Sequence, residues 1–279
     1  MSGARLRLPE PLPGGAVDAH THLDMIVRGL SGQGPGRPVP EVLDEARQAG
    51  ISRVVTVGVD LPTSRWAAGC ADEHPGVFAA VAVHPNDTAN AGDLDTVLAE
   101  LAGLASRPRV RAIGETGLDY YRDWSPPQVQ RDWFRGHIEV AKRTGRALMI
   151  HDRDAHEDVL SILGSAGPPE QVIFHCFSGD AGLAKRCAEA GYVMSFAGNV
   201  TFASAQTLRE AAAVAPPELI LVETDAPFLT PVPNRGKPNA PALAADTLRA
   251  IAKVKDMDVA ELCAAVTRTA ERVFGPLEG

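Results

Sequence analysis

Along the chain, short runs of β-branched and other apolar residues alternate with longer stretches in which apolar positions recur at helical spacing. Strand-like runs fall at 16–20 (AVDAH), 53–59 (RVVTVGV), 77–83 (VFAAVAV) and 110–114 (VRAIG). Four more follow at 146–151 (RALMIH), 171–175 (QVIFH), 192–196 (YVMSF) and 219–223 (LILVE). Most are nearly continuous apolar segments, as strands covered on both faces require. Helical patterns occupy 40–49, 62–74, 93–105, 126–144, 154–164, 180–190, 204–213 and 240–253, several opened by prolines such as Pro40, Pro62 and Pro126. Eight strands alternating with eight helices predict an α/β (β/α)8 TIM barrel, one domain over 1–279 with residues 1–14 as a flexible lead. A doubly wound open sheet fits less well, because GxGxxG is absent from the first strand's end. Residues 29–40 (GLSGQGPGRPVP) read as a long loop, and an additional C-terminal helix over 258–273 is expected on the barrel's outside.

Composition narrows the partners. At 279 residues the chain would allow nearly two domains of about 150 residues, but a single barrel also reaches about 250. Lys+Arg total 27 against 35 Asp+Glu, a net charge of −8. That balance disfavours a broad basic surface of the kind that coats duplex DNA, while leaving room for a small, locally cationic site. No run approaches 18 apolar residues, so no membrane span is expected. The N-terminal MSGARLRLPEPLPGG lacks the apolar core of a secretory signal. Four scattered cysteines without a CxxC pair suit a reducing interior. A cytoplasmic protein is expected, and nothing in the chain demands an obligate protein partner.

The chemistry gathers at the strand ends. His20 and His22 end the first strand, Glu115 the fourth, His151 the fifth, His175 the sixth and Asp225 the eighth. In a barrel, the carboxyl ends of all strands converge on one rim, where active sites are built. His20 and His22, two residues apart on an extended strand, point the same way. Any one of these residues alone has an ordinary structural explanation. Four histidines and two acids on one rim point instead to divalent metal, since buried charges need partners. The donor mix suits Zn, Mn, Fe or Ni better than the all-oxygen shells of Mg or Ca. Six donors exceed the usual three of one catalytic zinc, so two ions are expected: one at His20, His22 and Asp225, one at His151 and His175, with Glu115 between them. Such a pair can hold a metal-activated hydroxide, and Asp225 can accept a proton from it.

The blocks VDAHTHLD (17–24), AVHP (82–85), IGETGLDYY (113–121), IHDRDA (150–155), HCFSG (175–179) and ETDAPFLTPVPNRGKPN (223–239) resemble, in order, the TatD family of metal-dependent deoxyribonucleases within the amidohydrolase-like superfamily. TRTAERVFG (267–275) is similar to that family's terminal helix. The resemblance implies the same six residues as metal ligands. It also implies phosphodiester hydrolysis, typically from a 3′ end, with DNA single strands or 3′ ends as substrate. Mg joins the candidate metals on this ground, and some relatives act instead on D-aminoacyl-tRNA. Arg153, Arg235 and Lys237 can supply cations to phosphate. Tyr120 or Tyr121 can stack on a terminal base, and His84 is expected to touch substrate. Glu223 is expected to orient a liganding histidine. Departures from the family pattern fall at Asn86, at Asn239-Ala240-Pro241 and at Thr269, none of them among the six. Two other readings remain: a small-molecule ester or amide hydrolase, against which Glu115 stands where a carbamylated lysine is common, and a non-catalytic scaffold, against which the donor set is intact.

Overall fold

The computed structural model describes residues 6–29, 36–122 and 124–277. It places eight parallel strands in the order β1 to β8: Ala16–Thr21, Ile51–Val57, Val77–Val81, Val110–Asp119, Ala147–Arg153, Val172–Phe174, Val193–Phe196 and Ile220–Val222. Strand β8 returns to β1 through the Thr21–Ala226 bridge, the Asp225 N–H to the His20 carbonyl (2.9 Å) and the His22 N–H to the Ala226 carbonyl (2.7 Å). Buried Asp18 reinforces the seam by accepting from the Thr224 N–H (2.9 Å) and hydroxyl (2.6 Å). The expected TIM-type barrel is what forms.

Helices fill the crossovers: α1 Leu23–Arg28, α2 Val39–Gln48, α3 Leu61–Glu73, α4 Leu94–Ala105, α5 Pro127–Thr144, α6 His156–Ala166, α7 Ala181–Glu189, α8 Gln206–Val214, α9 Ala244–Lys255 and α10 Val259–Phe274. Local signals set their ends. Asp60 caps α3 by accepting from the Thr63 N–H (2.7 Å), and α5 starts at Pro127 and stops at Gly145 in the left-handed region (φ 63°). No helix among the described residues is long and apolar enough to cross a membrane.

Four expectations change. Strand β4 runs to Asp119 rather than 114, because its ladder to β5 continues through Leu118–Asp152 and Asp119–Arg153. A short helix, α1, separates β1 from the long loop read at 29–40, six residues being too few to register as a helical period, and α2 begins at Val39 inside that span; positions 30–35 of the loop lie outside the described residues. Residues 6–14 of the flexible lead are tied down: Leu12 is buried and donates to the Ala49 carbonyl (3.0 Å), and the Arg7 N–H donates to Asn234 Oδ1 (3.1 Å). Residues 1–5 of that lead are outside the described residues. Helix α10 does not stay outside. Its first half joins the helix layer, whereas Ala270, Val273 and Phe274, with Leu277 beyond, close the barrel floor against the interior cluster of Val17, Val55, Phe78 and Ala147.

That interior cluster explains where side chains point. Inward positions run Ala147, Met149 on β5, Ile173 on β6 and Leu221 on β8. Two further residues along, at period two, stand His151, His175 and Glu223. On β1 the inward phase is Val17, Ala19, and on β4 it is Ala112. Register shifts between Asp18 and Thr21 and between Ile113 and Thr116 change the phase there. Such irregularities re-aim side chains, here His20, His22 and Glu115 toward the axis.

Candidate metal centre

Glu115 is the hub. Its Oε2 lies 3.5 Å from His20 Nε2 and 3.9 Å from His22 Nε2. Its Oε1 lies 2.7 Å from His151 Nδ1 and 3.3 Å from His175 Nε2. Asp225 Oδ1 completes the first group, 3.7 Å from His20 Nε2 and 3.4 Å from His22 Nε2, and those two nitrogens are 3.2 Å apart. One carboxylate thus faces a nitrogen cluster with each oxygen. Two glycines permit the approach. A Cβ at Gly117 (φ 136°) would lie 2.1 Å from the His151 carbonyl oxygen, and one at Gly114 would lie 2.5 Å from Met149 Cβ.

The donor set fits metal. Around a tetrahedral ion with bonds near 2.1 Å, neighbouring donor atoms stand about 3.4 Å apart. The five separations among His20, His22, Asp225 and Glu115 Oε2 run from 3.2 to 3.9 Å. The two nearest-spaced nitrogens, buried together, can share at most one proton in a hydrogen bond. A cation satisfies both. Among the described residues, His20, His22 and Asp225 form one group of converging donors and His84, Glu115 and His151 another, while His20, Glu115 and His175 form a third that overlaps both; such a set can hold divalent ions and suits a binuclear site.

Each histidine's other nitrogen is occupied, which fixes ring orientation. His22 Nδ1 meets the Val57 carbonyl (3.3 Å), and His20 Nδ1 meets Met149 Sδ (3.2 Å). His175 Nδ1 stands 2.8 Å from Glu223 Oε1, an ion-pair contact short of a straight hydrogen bond, while that oxygen also accepts from the Cys176 N–H (2.8 Å). His151 Nε2 is 3.2 Å from Asp119 Oδ2. Asp119 escaped the sequence reading. A strand ending at 114 left it in a loop, whereas four further residues of ladder carry it to the rim; the GETGLD continuity was the available signal. His84 accepts the Asn86 N–H on Nδ1 (3.1 Å), so its neutral ring carries the proton on Nε2, 3.5 Å from Glu115 Oε1.

The electrostatics follow from burial and mutual contact. Burial alone would raise Glu115, but His175, His84 and His151 outweigh it and hold the carboxyl well below the usual carboxylate range. Burial opposes protonation of His175 and His151; Glu223 and Glu115 nevertheless push His175 well up, and Asp119 and Glu115 push His151 up to about 9. His20, with burial and neighbouring His175 both acting against its cation, falls well below the ordinary imidazole value.

The other predicted residues divide. Arg153, at the end of β5, lies over the Tyr121 ring (3.9 Å), and Arg235 lies over the Phe202 ring (4.3 Å). Lys237 Nζ donates to Asn234 Oδ1 (3.3 Å). Tyr120 is not presented as a stacking face: its hydroxyl donates to Asp158 Oδ2 (2.7 Å), Arg131 covers its ring, and the ring packs against the core. Tyr121 beside it is 64% exposed.

A parallel barrel with a buried, histidine-rich binuclear centre at its carboxyl rim defines a metal-dependent hydrolase of the amidohydrolase type. Residues 17–275 match the TatD related DNase family, and the chain belongs to that family. It is 44% identical over 266 residues to an uncharacterized metal-dependent hydrolase TatD of Mycobacterium tuberculosis, covering 93% of this chain and 97% of that one. It is 38% identical to an uncharacterized metal-dependent hydrolase of Bacillus subtilis, covering 92% and 98% respectively. The fold is similar to that of a TatD homolog from Escherichia coli, with a TM-score of 0.83, 24% identity, and coverage of 93% and 98%.

Proposed function

We propose that this hydrolase is a deoxyribonuclease that removes nucleotides from single-stranded 3′ ends. The observation that carries the reading is the pair of rim cations: among the described residues, the guanidiniums of Arg153 and Arg235 meet no carboxylate, although the chain is acidic overall. Seven other arginines, such as Arg131 with Asp158, are ion-paired, and others, such as Arg53, Arg146 and Arg249, donate to main-chain carbonyls, whereas the guanidiniums of Arg153 and Arg235 meet neither among the described residues. Cations left unneutralised beside a binuclear centre suit an anionic substrate.

Two divalent ions, when bound, would supply Lewis acidity toward phosphoryl oxygens and a water of lowered pKa. His20, His22, Asp225 and Glu115 Oε2 would hold one, and Glu115 Oε1, His151 and His175 the other. The chain's own groups do the rest. Asp225, 16% exposed at the centre's open side, accepts the proton of the attacking water. His84 Nε2–H donates toward a phosphate oxygen, while Arg153, Arg235 and Lys237 neutralise the strand. Glu223 and Asp119 hold His175 and His151 in register. The four unpaired cysteines suit a reducing cytoplasm.

The test is turnover of 3′-labelled single-stranded DNA beside a p-nitrophenyl carboxylic ester, with Mn or Zn supplied after chelation. Stepwise shortening from the 3′ end is expected, with binding that weakens steeply as salt rises. Glu115→Ala should lose at least about a thousandfold in rate, beyond the 10–100-fold typical of outer partners, together with bound metal. Turnover of the carboxylic ester alone, or a fully active Glu115→Ala, defeats the proposal.

A further inference from the structure

Five large hydrophobic side chains are exposed among the described residues: Tyr121, Trp124, Val214, Phe228 and Val232. Four of them sit in the loops that leave β4 and β8, on the rim that carries the metal centre. Three arginines lie over aromatic rings there. Arg153 covers Tyr121, Arg122 covers Trp124 (4.4 Å), and Arg235 covers Phe202. None of the three guanidiniums meets a carboxylate among the described residues. A guanidinium occupies one face of each ring, yet Tyr121 and Trp124 remain 64% and 63% exposed, so the opposite faces are open. Phe228, 41% exposed, stands with its ring 6.3 Å from that of His22, at the edge of the centre itself.

The two loops leave strands on opposite sides of an eight-stranded ring, so the aromatic faces bracket the metal centre. Asp119 joins one set to it. Its Oδ1 accepts the N–H groups of Tyr121 (3.0 Å) and Arg122 (2.9 Å), shaping the turn that presents them, while its Oδ2 meets His151. We propose that these rings form a split binding surface for single-stranded DNA, with bases stacking on Tyr121 and Trp124 to one side of the centre and on Phe228 to the other, and with Arg122, Arg153 and Arg235 meeting the phosphates between them. The occupant follows from charge and shape. Open π-faces beside unneutralised guanidiniums, in a chain of net charge −8, match a polyanion whose bases are unpaired. A duplex hides those faces, and an apolar protein partner leaves the arginines unmatched. The proposal rests on the nuclease reading and extends it from the scissile phosphate to the departing terminal nucleotide on one side and several nucleotides on the other.

Trp124 supplies the readout, since Trp133 is buried and Trp66 is half-buried. Metal-loaded protein is titrated with phosphorothioate oligo-dT of two, four and eight nucleotides, following tryptophan emission. The eight-mer should bind tightest and quench Trp124. Trp124→Ala and Tyr121→Ala should each weaken it about tenfold, and Trp124→Phe should regain most of that affinity. The proposal is overturned if the eight-mer fails to bind, binds no better than the dimer, or binds both alanine variants like the parent. Equal quenching by an eight-pair blunt duplex also overturns it. Thymidine 5′-(p-nitrophenyl phosphate) separates this outcome from the reading beneath it. Its hydrolysis without length-dependent binding leaves the nuclease and removes the surface; length-dependent quenching without phosphodiester turnover does the reverse.

Discussion

The two ends of this barrel use the same pair of side chains to opposite effect. At the floor, Arg109 and Arg111 both lie over the Phe78 ring, each 5.4 Å from its centre. Phe78 is fully buried, and the guanidiniums donate to main-chain carbonyls, Arg109 to Val77 (3.3 Å) and Arg111 to Pro276 (2.9 Å). At the rim, Arg122, Arg153 and Arg235 cover rings that stay open to solvent on two of the three occasions. A cation over an aromatic ring is therefore no functional signal by itself. What distinguishes the rim is that, among the described residues, its guanidiniums donate to no protein acceptor, carbonyl or carboxylate, and its best ring faces lack neighbours. The floor is a closed structural lock; the rim is an unfinished contact.

The largest effect should come from emptying the floor. Phe78→Ala removes a fully buried ring from the interior cluster that Phe274 and Leu277 close, and should destabilise the protein by about 3–5 kcal/mol. Denaturant unfolding reads the loss. The turnover number per folded, metal-loaded molecule should stay within about twofold of the parent. A large fall in turnover at unchanged stability would show that floor and rim are not separable.

A second test concerns His137, which lies between the two regimes. It is fully buried, its Nε2 accepts the Val83 N–H (3.2 Å) and its Nδ1 meets the Thr116 hydroxyl (2.9 Å) beside Glu115. Burial lowers its pKa from 6.5 to about 4. The folded state thus binds fewer protons than the unfolded chain between those values, and stability falls as pH drops through the window from 6.5 to 4. The loss should approach about 3 kcal/mol by pH 4. His137→Gln, which keeps an acceptor for Val83 and cannot titrate, should lack that component when both proteins are unfolded in chelator. Parallel pH profiles would remove His137 from the set of buried neutral groups.

What the apolar pattern along the chain reveals, and what only packing reveals, differ for the same physical reason as floor and rim. Continuous apolar runs located all eight strands, because strands covered on both faces cannot hide that pattern. The six side chains that the fold gathers at the centre were legible at strand ends. Asp119 was not, since β4 beyond residue 113 passes through Gly-Glu-Thr-Gly, which breaks the apolar run before the ladder to β5 resumes at Thr116 and Gly117. Tyr120 and Tyr121 are adjacent and chemically alike, and only packing tells which one is held by Asp158 and Arg131 and which faces water. Helix α10 carries an ordinary amphipathic pattern, which states that one face is buried but not against what. Its last turns meet the barrel floor rather than its flank.

The smallest predicted effect discriminates best within the rim. Glu223 and Asp119 each set a carboxylate against a histidine of the centre, His175 and His151, yet they sit differently. Glu223 is fully buried and its carboxylate accepts from the Cys176 N–H besides facing its histidine, whereas Asp119 also accepts from Asn86 Nδ2 (2.9 Å) and from the two main-chain amides of the Tyr121 turn. Asp119→Asn keeps an oxygen for those amides and removes the anion that His151 faces. It should lower metal affinity or turnover by about 10–100-fold, with global stability little changed. Calorimetric titration of the stripped protein with Zn or Mn gives the affinity directly. Because the Asp119 oxygens serve two purposes, the same variant should leave oligo-dT quenching of Trp124 nearly intact, while Asp119→Ala should lose both. An Asn variant that binds metal like the parent would mean that His151 is held by the strand β5 register alone, and that the Asp119 carboxylate belongs only to the turn.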